Sequence, residues 1–248
     1  MNARAYAATV RRVLAQLVAD RRTLGLIMIV PAALLTLLYF VYLDYPYGES
    51  LFNRIAVAMM AILPMLVMFL VTSVAMLRER SSGTLERLWT TPLHRADLLL
   101  GYATAFTATA VGQSLLLCAV AAWCLGVEIG TSWAWVVLTA LVVGFLGVAL
   151  GLFVSAFARS EFQAVQFFPV VIGPQIFLCG LLAARDQLPR ALELCSNLLP
   201  MSWAVDAVGE LSANTAPTAA FAADLGLVAG AGAVILAVAA LTVPRRVR

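Results

Sequence analysis

Residues 55–77 read IAVAMMAILPMLVMFLVTSVAML, 23 positions without an acid or a base, held between Arg54 and Arg78. A helix rises about 1.5 Å per residue, so about 20 such residues cross the roughly 30 Å hydrocarbon core of a bilayer. In lipid, a single segment satisfies its own backbone polar groups only as a helix. Working outward, five further stretches lack Asp, Glu, Lys and Arg: 23–43, 98–127, 129–158, 162–184 and 225–244. The two 30-residue stretches exceed one upright crossing and fall short of two. They place single spans at 103–126 and 133–157, separated by Glu128 and a Gly130-Thr131-Ser132 turn. The expected fold is all-α: one polytopic membrane domain over 1–248 with six transmembrane helices, at 23–43, 55–77, 103–126, 133–157, 162–184 and 225–244.

Composition agrees. Of 248 residues 63% are apolar and 12% charged, against about 25% charged in a soluble domain. So few charges could not cover a water-soluble fold, which excludes a cytosolic enzyme, a disordered chain and a small disulfide scaffold. All 16 bases are arginine, set against 13 acids. A net charge of +3, with no basic run interleaved with aromatics, argues against nucleic acid. Cys118, Cys124, Cys179 and Cys195 show no CxxC spacing, and His94 is the sole histidine, so no metal ligand set is expected.

Six spans put both termini on one side. Thirteen arginines then share that side: Arg4, Arg11, Arg12, Arg21, Arg22, Arg78, Arg80, Arg87, Arg95, Arg159, Arg245, Arg246 and Arg248. Only Arg54, Arg185 and Arg190 face the other, which predicts cytoplasmic termini. No cleavable signal peptide is expected, because the first long apolar run begins only at Thr23, after five arginines. Within 4–20, Tyr6, Val10, Val13, Leu14 and Leu17 recur at helical spacing, with Arg4, Arg11, Arg12 and Asp20 around them. The pattern predicts an amphipathic helix on the membrane surface; a plain basic topology signal is the other reading.

The connection from Arg78 to Asp97, RERSSGTLERLWTTPLHRAD, holds more than an inner loop needs. Ser81-Ser82-Gly83 is a helix-entry signal, Leu85, Leu88 and Trp89 share one side, Glu86 and Arg87 the other, and Pro92 ends the turn. A short helix over 81–94 is expected, either docking another protein or anchored at the interface by Trp89. Arg78, Glu79 and Arg80, followed by Gly83, Thr84, Leu85, Glu86, Arg87, Leu88 and Pro92, resemble the E-R-x-x-G-T-x-E-x-L-x-x-x-P signature of type 2 ABC transporter permeases, particularly the daunorubicin-resistance-like drug-export branch. Cys179-Gly180-Leu181-Leu182, Leu188-Pro189 and Pro200-Met201-Ser202-Trp203-Ala204-Val205-Asp206 resemble that family's outer S-G … L-P … P-x-x-[YW]-A-[VI]-[DE] stretch, with cysteine in place of serine.

The resemblance implies a half-transporter: two such permeases, identical or paralogous, with two cytoplasmic ABC ATPase subunits that bind ATP and Mg. Arg78, Glu79, Gly83, Thr84, Leu85, Glu86, Arg87, Leu88, Trp89 and Pro92 would form the ATPase-coupling element. The external connection 185–224 would form short re-entrant helices, with Gly180, Pro189, Pro200, Trp203 and Asp206 in that region; surface helices are the alternative. The chain has no GxxxxGK[ST] and no lysine, so no cofactor is expected on it and hydrolysis would belong to a separate polypeptide. The implied activity is ATP-driven export of hydrophobic or amphipathic drugs across a bacterial inner membrane, with bilayer lipids as surroundings. A lipid, glycan-lipid or haem-like substrate is the alternative. A secondary transporter or an intramembrane enzyme would need charges or histidine at membrane depth, and the spans have none.

Pro169 and Pro174 flank Gly173, so the fifth span must kink or break. Met65 and Phe69 of the second span, Gln113 of the third, and Gln163, Gln166, Phe167, Phe168 and Gln175 of the fifth are candidate pathway residues. Helix-to-helix hydrogen bonding by the amides, and plain packing by Met65 and Phe69, are the competing readings. Gly144, Gly147 and Gly151, and Gly226 with Gly230, suit close helix contact, within the chain or between copies. Tyr39, Phe40, Tyr42, Tyr45, Tyr47 and Phe52 form an aromatic belt or an outer gate.

Overall fold

The computed structural model describes residues 3–82 and 95–242. Every regular element among them is helical. Helix α1 runs Ala3–Ala19, α2 Arg21–Tyr42, α3 Gly48–Ser81, α4 Arg95–Trp123 and α5 Trp133–Ser155. Then follow α6 Glu161–Val171, α7 Gly173–Leu178, a single 3-10 turn Arg185–Gln187, α8 Arg190–Leu198, α9 Pro200–Ala213 and α10 Ala219–Thr242. Five of these, α2, α3, α4, α5 and α10, are long and apolar enough to cross a membrane.

The remaining apolar stretch, 162–184, is not one long helix but a broken one. Pro169 and Pro174 have no N–H to give to the carbonyls of Val165 and Val170, and the helix divides at Ile172 into pieces of 11 and 6 residues. These rise only about 17 and 9 Å. Such a break is tolerable at membrane depth where protein satisfies it. Here the Gln175 amide donates to the Val171 carbonyl (3.0 Å) and accepts from the Met201 backbone N–H (3.4 Å).

Helices α3 and α5 form the central pair. A Cβ built on Gly147 would lie 2.3 Å from the Met65 carbonyl oxygen, and one on Gly151 2.6 Å from that of Phe69. Backbone therefore meets backbone along the seam, which only small residues permit. At 34 residues α3 is about 51 Å long, longer than the roughly 30 Å hydrocarbon layer, so both its ends project. Peripheral α2 and α10 leave Leu26, Ile29, Leu37, Val234 and Leu241 exposed, a surface suited to lipid.

Helix α1 is docked on the bundle. Its buried Thr9, Val13 and Leu17 face inward, and a Cβ on Gly101 of α4 would meet Thr9 Cγ2 at 2.7 Å. Asp20 alone separates α1 from α2 and caps the latter, accepting from the Thr23 N–H and hydroxyl at 3.1 and 2.6 Å. Those bonds hold the Asp20 carboxyl below its ordinary range. In the 185–224 connection, α9 buries Met201, Ala204, Ala207, Val208 and Leu211 in the core, whereas α8 keeps Leu192, Leu194 and Leu198 exposed.

Candidate coupling face and outer gate

At the end of α3, three successive residues engage three different elements. Successive helical positions point about 100° apart, so Arg78, Glu79 and Arg80 face different neighbours. The Arg78 guanidinium forks onto Glu161 at the start of α6 (Nε to Oε1 2.7 Å, Nη2 to Oε2 2.9 Å). It holds the Glu161 carboxyl below the usual carboxylate range. Glu79 accepts from Arg12 of α1 at 3.1 and 3.4 Å. The same guanidinium donates to the Tyr102 hydroxyl of α4 (2.9 Å) and lies 5.8 Å from that ring's centroid. Arg80 donates from Nη1 to the Ser155 carbonyl, at the last residue of α5. Beside this node, a cavity of about 760 Å³ is walled by Leu17, Asp20, Thr23, Arg78, Glu79 and Tyr102 among others.

Of the expected coupling residues, Arg78 and Glu79 are therefore in the node. Gly83, Thr84, Leu85, Glu86, Arg87, Leu88, Trp89 and Pro92 lie outside the described residues. Arg12, Tyr102 and Glu161 carry the node without having been singled out from sequence. Glu161 had a usable signal, as the first acid after the Ser160 helix cap; Arg12 and Tyr102 had none, since their pairing is long-range.

At the opposite end, a second cavity of about 720 Å³ is lined by Arg54, Gly180, Arg185, Asp206, Glu210 and Asp224 among others. Arg185 organises it, pairing with Asp206 and donating to Asn197 Oδ1 at 3.3 Å. Gly180 has φ +90°, and its missing Cβ would sit 3.3 Å from Arg185 Cγ, so the turn favours glycine on both counts. Trp203 Nε1 donates to the Asn197 carbonyl (3.0 Å), lacing α9 to α8. Ser196 Oγ donates to the Leu178 carbonyl (2.6 Å), tying α8 to α7. Pro189 precedes α8 and Pro200 opens α9, a first-turn position where a missing N–H costs nothing. Gly180 and Asp206 thus share the cavity, while Pro189, Pro200 and Trp203 set its supporting helices. Arg185 and Asn197 were not singled out from sequence.

The candidate pathway residues do not converge. Met65 and Phe69 are fully buried under α5, and Phe69 meets Phe168 edge-on, with centroids 5.9 Å apart. Gln163 takes part in a cap: its N–H bonds Ser160 Oγ (3.2 Å), and its Oε1 accepts from the Arg159 N–H (2.8 Å). Gln175 bridges the break. Gln113 is wholly buried with neither amide atom hydrogen-bonded. Gln166 is exposed and Phe167 half-buried.

The sequence profile of ABC-2 type transporters matches residues 4–211. Among curated proteins, the chain is 28% identical over 141 residues to ABC transporter G family member 20 of Dictyostelium discoideum, covering 57% of this chain and 19% of that protein. It is 26% identical over 149 residues to the probable multidrug ABC transporter permease YbhR of Escherichia coli K12 (60% and 40%). It is 27% identical over 140 residues to the linearmycin resistance permease protein LnrN of Bacillus subtilis (56% and 36%). The matched stretch thus spans well under half the length of each relative. With five long apolar helices and a profile match over most of its length, the chain belongs to the ABC-2 type transporter family.

Proposed function

We propose that this chain is the transmembrane permease subunit of an ATP-driven exporter that moves hydrophobic or amphipathic compounds, drugs and antibiotics among them, out across a bacterial inner membrane. ATP and Mg are bound by a separate ATPase, two copies of which serve two permeases. Both termini, and the 83–94 segment that receives the ATPase, are cytoplasmic. The observation that carries the reading is the Arg78-Glu79-Arg80 node: the last turn before that segment is bonded to α1, α5 and α6, and through Arg12 to Tyr102 of α4. Force entering at 83–94 is thereby distributed to the whole bundle rather than to α3 alone. The drug-export branch is supported by the permeases named for multidrug and linearmycin resistance. Exposed Gln166 and half-buried Phe167 and Phe168, in the first piece of the broken span, supply the wall of the path.

The test is reconstitution with the partner ABC ATPase. Glu86→Arg should abolish compound-stimulated hydrolysis while the permease stays folded and inserted. Wild-type export by that variant, or export without any ATPase bound, would overturn the reading.

A further inference from the structure

The loop between α2 and α3 closes a pocket that the transport reading does not use. Its volume is about 410 Å³, within the roughly 300–1,000 Å³ of small-molecule sites. Three rings, Tyr39, Tyr42 and Phe52, form its aromatic wall, joined by Glu49 and Asn53. Tyr39 packs edge-to-face on buried Phe52, at 74° with centroids 5.3 Å apart, and Tyr42 packs likewise on Tyr45 at 84° and 6.0 Å. The loop is pinned by Gly48, where a Cβ would fall 2.0 Å from the Tyr42 carbonyl oxygen. Asn53 Oδ1 accepts from the Glu128 N–H (3.4 Å). The nearest arginine in sequence, Arg54, lines the other cavity instead. Glu49, in the first turn of α3, therefore contributes a carboxylate with no cation of this chain among the described pocket residues.

We infer that this pocket binds an alkylammonium group. Ring faces carry negative quadrupole potential and attract cations, quaternary ammonium above all, and the Glu49 carboxylate adds the matching charge. Because α2 ends at Tyr42 and α3 begins at Gly48, the pocket sits at headgroup level, where tyrosine is at home. Its ligand is a choline-type headgroup of a lipid or the ammonium of a cationic amphiphile. The assignment is independent of ATPase coupling.

The test uses the full chain in phosphatidylglycerol nanodiscs, with binding read by saturation-transfer NMR. Choline is compared with its uncharged isostere 3,3-dimethylbutanol; a second arm uses spin-labelled phosphatidylcholine against spin-labelled phosphatidylglycerol. Choline should bind more tightly than the isostere; Tyr42→Leu should weaken it about 2- to 30-fold, the range spanned by cation–π contacts, and Glu49→Gln should weaken it too. Selection of phosphatidylcholine that Glu49→Gln removes, without binding of free choline, also supports the pocket and identifies the lipid as its source. Equal binding of choline and isostere with no lipid preference, or a preference that Glu49→Gln leaves intact, overturns it. Because Glu49 is exposed, that variant decides the matter even if Tyr42→Leu perturbs the fold.

Discussion

Glu79 and Glu161 are both carboxylates beside arginines, yet they differ in burial and so in worth. Glu79 is 13% exposed and its partner Arg12 30%, whereas Arg78 and Glu161 are both more than half exposed. Charge-assisted bonds away from water are worth about 1.5–3 kcal/mol; exposed pairs are worth about 0–1 kcal/mol. A double-mutant cycle of Arg12→Gln and Glu79→Gln, read by thermal unfolding in detergent, should give a coupling of about 1–3 kcal/mol. The Arg78–Glu161 cycle should give less than about 1 kcal/mol. For Glu161 the folded carboxyl titrates below its ordinary value. Its contribution is therefore complete above the unfolded pKa of about 4.3 and is lost as pH falls through the lower folded value. Glu161→Gln should abolish that acid-limb difference, which parallel melts between pH 3 and 6 would detect.

Among the elements, the glycines separate into two kinds. Gly147 has no room for a methyl group, and Gly147→Ala should lower stability by about 1–3 kcal/mol through overpacking. Gly226 and Gly230 of α10 have nothing within 4 Å of an added Cβ, and alanine there should be neutral or mildly stabilising in a detergent-solubilised monomer. Sequence showed all of these glycines as the same small-residue spacing; only the partner helix distinguishes them. The broken span was more legible, because proline's missing N–H is a local property. Pro174→Ala restores one donor and should raise helicity by circular dichroism while lowering transport. Where the pieces end was not legible, since the Gln175 amide that bridges them reaches Met201, 26 residues away.

For the whole molecule, hydropathy located the long apolar helices, because a run of about 20 uncharged residues satisfies its own backbone in lipid only as a helix, unless proline interrupts it as in 162–184. It did not reveal that α3 begins seven residues before the apolar run or that α10 begins at Ala219, since charged residues extend a helix into water at no cost to its backbone. The expected amphipathic 4–20 segment is a helix clasped to α4 by Thr9 against Gly101. If that clasp transmits movement, Gly101→Leu should disturb ATPase stimulation by compounds more than it disturbs insertion, measured as the ratio of stimulated to basal hydrolysis.

The glycine seam between α3 and α5 has a mechanical consequence. Side chains that interdigitate can rearrange by rotamer hops, but two backbones in direct contact have no soft intermediary and must travel like keyed shafts. A displacement of one would then be a displacement of both, and among the described residues the single-residue joints at Ile172 and Asp20 are breaks of another kind, where one residue alone separates two helices.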